Sequence, residues 1–288
     1  MRHEHAIQVG PVGFRIGSDW PDPIRDLRSL YAGYPEPDGA CDFTVRLEAT
    51  KPWRRWINPS VAISGDFTLP DAAPLPLAQG LLAAEMAMNL QMALGQKRYL
   101  LLHAATVEKA GRALILTGHS GSGKSTLAAI LAERGWRLMG DEFALLDPET
   151  GRLHAFPRAI SLKNGSISVV AGIADHSRLG PLIQGTPKGA IRHLRPNREA
   201  LDRMGEPAEP ALLLFPRFGR GLHAEVRPVG AAEAFVRLTQ ASTNYVALGE
   251  GGFSALTELV TGIPACAIDY PDTEAALGLV HRLWTELA

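Results

Sequence analysis

Residues 118–125 read Gly-His-Ser-Gly-Ser-Gly-Lys-Ser, a complete G-x-x-x-x-G-K-[ST] pattern. That run restricts the chain to folds with a strand entering the loop and a helix leaving it. Both flanks comply. Arg112–Thr117 is a short apolar strand-like run, and Ser125–Arg134 has helical composition. Gly118, Gly121 and Gly123 let backbone N–H groups curl around phosphate oxygens, with Ser120 and Ser122 completing the loop. The helix start at Lys124–Thr126 adds unpaired N–H donors and the positive end of a dipole. Lys124 is placed to reach the β- and γ-phosphates, and the Ser125 hydroxyl to ligate Mg²⁺. The expected ligand is a nucleoside triphosphate, ATP with Mg²⁺.

The 288 residues suffice for one large domain or two modest ones. Apolar content of 46% with 20% charged residues fits a globular protein. A net charge of −1 argues against nucleic-acid or anionic-membrane binding through a long-range field. Cys41 and Cys266 stand far apart without a C-x-x-C pattern, so neither a disulfide framework nor a zinc site is expected. The first residues lack the apolar core of a secretion signal and no apolar run approaches membrane length, so a cytoplasmic location is expected.

Residues 1–70 read as a β-rich N-terminal region, ahead of a nucleotide-binding domain over 71–288. Phe43, Val45 and Leu47 alternate with polar residues, the period of a half-buried strand. Val61–Ser64 and Phe67–Leu69 are shorter candidates around a Gly65-Asp66 hairpin turn. Trp53 and Trp56, interleaved with Arg54 and Arg55, read as an aromatic edge packed on its own sheet. A long helix is expected from Asp71 to about Gly95, on the spacing of Leu77, Leu81, Leu82, Met86, Leu90 and Leu94. Residues 98–103 and 105–108 read as strand, 136–139 and 143–146 likewise. Residues 164–190 read as a long loop, a candidate lid. Ala211–Phe215 reads as a central strand with Leu222–Val226 as its hairpin partner, and helices are expected over 231–240, 253–261 and 273–287.

Asp141 and Glu142 follow the loop after one helix and one strand, with Asp141 17 residues beyond Lys124. Phosphoryl transfer needs a metal to neutralise phosphate charge and a carboxylate to take the proton of the attacking hydroxyl. These two residues can divide those duties. His103, at a strand end, reads on its own as a packed, hydrogen-bonded histidine. The order His103, glycine loop, helix, strand, Asp141-Glu142 resembles the catalytic domain of the HPr serine kinase/phosphorylase family, and in particular its HPr kinase-related members. The likeness is specific over residues 100–147. It implies an α/β fold with a nucleotide core like that of ATP-dependent phosphoenolpyruvate carboxykinase, here with a β-rich N-terminal extension. It implies Asp141 as general base toward a serine or similar hydroxyl, His103 in support near the γ-phosphate, and Glu142 with Ser125 on Mg²⁺. Glu142 stands where that family carries aspartate, and the family's E-[RK]-G-L-G segment is missing. Thr186-Pro-Lys-Gly189 is the nearest match, with Lys188 as the cation for transition-state charge. Those departures point away from phosphorylase activity and from HPr as the substrate.

Arg158 and Lys163 read as surface charges. Lys188, Arg192, His193, Arg195, Arg198 and Arg203 form a basic cluster suited to a lid or to docking an acidic peptide. Gly249-Glu-Gly-Gly252 reads as a helix-entry turn. The expected activity is an ATP-dependent kinase acting on a serine of a protein or peptide, with no nucleic-acid or membrane partner and with a homo-oligomer allowed. A small-metabolite kinase, a non-catalytic ATP sensor and a water-activating NTPase are the alternatives. The absence of a guanine-reading N-K-x-D motif weakens the last.

Overall fold

The computed structural model describes residues 2–287. The chain divides into two compact units. Unit 1 holds the residues up to Gln96 with Ser161–Ala171 and Asp175–Arg195, and unit 2 holds Lys97–Ile160, Gly172–Ala174 and the residues from Pro196 on. Among the described residues, no helix is long and apolar enough to cross a membrane.

Unit 1 opens with β1 (His3–Val9) and β2 (Val12–Ser18), followed by helix α1 (Pro21–Leu30). β3 (Phe43–Ala49), β4 (Ser60–Gly65) and the short β5 (Leu75–Pro76) complete a five-stranded sheet in sequential order. Helix α1 lies inside the region read as β-rich. Its start is set by Pro21 and Pro23, and it buries Ile24, Leu27 and Leu30. Phe67–Leu69 forms no strand. Helix α2 runs over Gly80–Gly95, later than the expected start at Asp71, and packs within this unit. Pro74 and Pro76 hold the chain extended through β5, and a 3₁₀ turn at Leu77–Gln79 precedes the helix.

The tryptophans break the expectation of an aromatic edge. Pro52 starts a 3₁₀ turn in place of a pleated strand, so Trp53 and Trp56 remain 52% and 73% exposed.

Unit 2 begins with β6 (Leu100–Leu102), β7 (Ala104–Lys109) and β8 (Arg112–Thr117). Helix α3 (Lys124–Ala132) follows, then β9 (Arg137–Gly140), β10 (Ala144–Leu146) and β11 (Leu153–His154). β12 (Ile160–Lys163) leads back to unit 1, where α4 (Gly165–Ala171), β13 (Leu179–Thr186) and β14 (Gly189–Leu194) lie. Residues 164–190 are therefore a helix and a hairpin. Thr186-Pro-Lys-Gly189 is the turn of that hairpin, with Gly189 at φ +85° supplying the left-handed position. Unit 2 resumes with α5 (Arg198–Asp202), β15 (Glu209–Phe218), β16 (Glu225–Pro228), α6 (Ala231–Ala241), α7 (Tyr245–Gly262), β17 (Ala265–Tyr270) and α8 (Thr273–Thr285). Gly249 breaks the first turn of α7 with φ +55°.

The principal sheet of unit 2 runs β16-β17-β15-β8-β7-β9. β8, β15 and β17 are parallel, while β7 is antiparallel to both β8 and β9. β15 is central, as its apolar run requires. β16 pairs with β17 and not, as expected, with β15. On one face Ala113, Ile115, Leu213, Phe215, Ala265 and Ala267 pack against Leu238, Leu256 and Leu259 of α6 and α7. The carboxyl ends of the three parallel strands open together, and ligands of α/β sheets bind at such an end.

Candidate active site at the sheet edge

The chain leaves β8 at Thr117 and makes three left-handed glycine steps, Gly118 at φ +144°, Gly121 at +84° and Gly123 at +102°, before α3 begins. No side chain caps α3 at Gly123, so its first amides are not spent on a capping bond. Gly123 is fixed twice over. An added Cβ would overlap the buried Tyr270 hydroxyl oxygen and stand 3.3 Å from Phe218 Cβ. Burial pushes that tyrosine's pKa upward, so it stays neutral beneath the loop. The loop is tied to the neighbouring strand tip by Phe218 N–H donating to the Ser122 carbonyl at 3.1 Å.

Lys124 is buried, and its ammonium donates to the carbonyls of Gly118 at 2.6 Å and His119 at 3.0 Å. The cation is thus folded back across the mouth of the loop it closes. Ser122 Oγ is buried with no hydrogen-bond partner inside the same loop. Ser120 is exposed, and Ser125 and Thr126 sit half-buried on the first turn of α3. An orphaned hydroxyl, a cation and uncapped amides are the groups that a phosphate chain satisfies.

Asp141 and Glu142 leave the end of β9. That end is on the loop's side of the sheet, because Gly140 pairs with Thr106 while Ala104 of the same β7 pairs with Thr117. His103, just before β7, is locked to this edge: the Thr117 hydroxyl donates to its carbonyl at 3.1 Å, and its own N–H donates to the Ala241 carbonyl at 2.7 Å. Its Nδ1 lies 3.2 Å from the Glu142 carbonyl oxygen and 3.6 Å from Glu142 Oε2. The structure therefore brings together the glycine loop, His103, Asp141 and Glu142. Asp141 is buried and Glu142 is half-buried. Among the described residues, no group of three or more His, Cys, Asp or Glu side chains converges as a metal site. Ser125 and Glu142 supply oxygen donors of the kind Mg²⁺ takes alongside phosphate and water.

Lys188 belongs to unit 1, at the hairpin turn, where its N–H donates to Thr186 Oγ1 at 3.2 Å and its carbonyl accepts from Asn164 at 3.0 Å. The arginines that follow it in sequence make local contacts. Arg192 donates to the Gly180 carbonyl, Arg195 to those of Ser29 and Ser177, Arg198 pairs with Asp202, and Arg203 pairs with Glu199, Glu206 and Glu108. Arg158 is buried in place of the surface position expected.

The sequence reading missed Arg217, Asp269 and Tyr270, at the tips of β15 and β17. Arg217 stands opposite Asp269 in the parallel pairing and grips its carboxylate with Nε at 3.0 Å and with Nη2. Arg227 Nη2 reaches the same carboxylate at 3.2 Å. The Arg217 hydrogen bond, against the cost of burial and aided by both arginine charges, holds Asp269 below the usual carboxylate range. The available signal was a charged residue ending each apolar run.

No family model and no curated protein sequence matches the chain. Among solved structures it is similar to the HPr(Ser) kinase/phosphatase from Coxiella burnetii, at 17% identity over 65% of this chain and 98% of that one, with a TM-score of 0.28. A score that low does not establish a shared fold.

Proposed function

We propose that unit 2 is an ATP-dependent phosphotransferase that moves the γ-phosphoryl group to a hydroxyl, most simply a serine of a protein or peptide. The observation that carries this reading is the loop between β8 and α3, where Lys124, three left-handed glycines and an uncapped helix start face one edge with Asp141 beside it. In this reading the loop amides and Lys124 hold the β- and γ-phosphates. Asp141 takes the proton as the acceptor oxygen bonds to the γ-phosphorus and the bridging bond to ADP breaks. His103, fixed through Thr117 and Ala241, orients Glu142. Ser125 and Glu142 would hold Mg²⁺, which supplies charge neutralisation on the phosphates when bound. Lys188, in the other unit, is assigned no step.

The test is transfer of label from γ-labelled ATP with Mg²⁺ to serine peptides and small hydroxyl acceptors, beside Asp141→Asn. Transfer that falls by about 10²–10⁴-fold in the variant, with ATP binding retained, is the expected result. ATP binding with no transfer to any acceptor would sink the kinase reading.

A further inference from the structure

Two arginines meet one buried carboxylate at the carboxyl end of the principal sheet. Arg217 and Arg227 both bond Asp269, whose side chain is 4% exposed, while their own side chains remain 61% and 50% exposed. The carboxylate anchors the guanidinium groups and leaves their outer edges in water. A guanidinium has five N–H donors, and Asp269 accepts two from Arg217 and one from Arg227. Glu225 is the other acid nearby, 3.8 Å from Arg227 Nε and 58% exposed, a rim contact that solvent screens.

The position ties this pair to the glycine loop. Pro216 O lies 3.9 Å from where a Cβ on Gly118 would stand, and the next-but-one residue, Phe218, donates to the Ser122 carbonyl at 3.1 Å. Arg217 lies between these two contacts. Along β15 it shares a face with Leu213 and Phe215, along β17 Asp269 shares that face with Ala265 and Ala267, and Thr117 continues it from Ala113 and Ile115. Thr117 holds His103. The arginines thus project at the end of the sheet face that also carries Thr117, while Phe218 and Tyr270 on the other face pack beneath Gly123.

We propose that Arg217 and Arg227, clamped by Asp269, form an oxyanion subsite beside the glycine loop that binds a phosphate-type group held outside it. A fixed, half-exposed fork of guanidinium donors is the side-chain geometry that recognises such groups bidentately. The occupant is a phosphomonoester on the phosphorylated acceptor or inorganic phosphate, two sources of one chemistry. The subsite rests on the kinase reading for its biological use, since a phosphotransferase must seat its product phosphate as well as its nucleotide.

The experiment titrates O-phosphoserine and, separately, inorganic phosphate into the full chain saturated with Mg-ADP, comparing the parent with Arg217→Gln and Arg217→Lys. The expected result is binding that weakens about tenfold or more in Arg217→Gln, the loss of one charge-assisted contact. Partial recovery is expected in Arg217→Lys, with Mg-ADP affinity within about twofold throughout. Tighter binding of O-phosphoserine assigns the site to the acceptor, and tighter binding of phosphate assigns it to the free anion. Equal affinity in parent and Arg217→Gln, or no anion binding by the parent, overturns the subsite even if Mg-ADP binds. Failure of Mg-ADP to bind sinks the nucleotide reading instead, and Arg217-dependent anion binding would then still support the subsite. Arg227→Gln is expected to weaken anion binding in the same sense, and an Arg227→Gln that binds like the parent confines the site to Arg217 and refutes the two-arginine proposal.

Discussion

Replacing Gly123 by alanine tests the loop on two separable counts. The backbone there has φ +102°, a region that costs an L side chain about 1–2 kcal/mol. The new methyl also overlaps the Tyr270 hydroxyl and stands 3.3 Å from Phe218 Cβ, and making room in a packed interior costs a further ~1–3 kcal/mol. The sum is roughly 2–5 kcal/mol. At about 2–4 °C per kcal/mol, the melting transition of unit 2 falls by roughly 4–20 °C. Tyr270→Phe removes the overlapped oxygen and none of the backbone strain. The double variant Gly123→Ala/Tyr270→Phe therefore recovers the overlap with the hydroxyl and keeps the backbone loss of about 1–2 kcal/mol together with the tight Phe218 contact. Thermal melts of the parent, both single variants and the double variant close the cycle. The reasoning is refuted if Gly123→Ala melts within about 2 °C of the parent, or if adding Tyr270→Phe restores nothing.

Across β7 and β9, Glu108 accepts from Arg137 Nε at 2.6 Å and from the Gly111 amide at 2.6 Å, and both acid and base are buried. Glu108→Gln leaves Arg137 without its counter-charge, an expected loss of about 3–5 kcal/mol in urea unfolding. Burial alone would raise the Glu108 carboxyl, but the Arg137 and Gly111 hydrogen bonds and the Arg137 and Arg203 charges outweigh it and hold its pKa below the ordinary value. A depressed carboxylate contributes stability above its unfolded pKa of about 4.3 and loses it as pH falls through the folded value. The parent should accordingly lose stability more steeply than Glu108→Gln below about pH 4.3, and equal slopes would contradict the assignment. Asn244 stands in for a strand partner, accepting from Leu101 N–H at 2.9 Å and donating to the Tyr99 carbonyl at 2.8 Å. Asn244→Ala should cost about 2–4 kcal/mol and speed hydrogen exchange at the Leu101 amide; unchanged exchange there would rule the bond unimportant.

What the sequence made legible was local. The glycine loop, its strand and its helix follow from eight consecutive residues, and the structure has β8 ending at Thr117 and α3 starting at Lys124. The central place of β15 follows from its uninterrupted apolar run, and the left-handed Gly135 at φ +86° lies just past the end of the loop helix. The failures occurred where a neighbouring residue overrode composition. Pro74 and Pro76 delayed α2 to Gly80, the 3₁₀ turn begun by Pro52 left the expected aromatic edge exposed, and α1 lies within the stretch that reads as β-rich. The polar stretch at 164–190 passed for a loop because β13 has few buried residues, so its hairpin shows no alternating apolar signal.

The site divides along the same line, and the division has a physical cause. Lys124, Ser125 and the glycines shape the loop backbone themselves, so their placement is written in their spacing. The position of Asp141 was legible because one helix and one strand separate it from the loop, a path that returns to the same edge. His103 was ambiguous alone, since its orientation depends on Thr117 and on Glu142, 39 residues away. Arg217 and Asp269 are 52 residues apart and become partners only because β15 and β17 run parallel in register. No window of sequence contains that pairing. Yet it follows from the topology once both strands lie beside β8, because parallel strands must deliver their carboxyl-terminal side chains to one edge. Charged residues that close apolar strands in such a sheet are therefore the ones to examine beside a phosphate-type loop, alongside basic clusters in polar segments, whose guanidinium groups here donate to the carbonyls of Ser29, Ser177 and Gly180 and to Asp202.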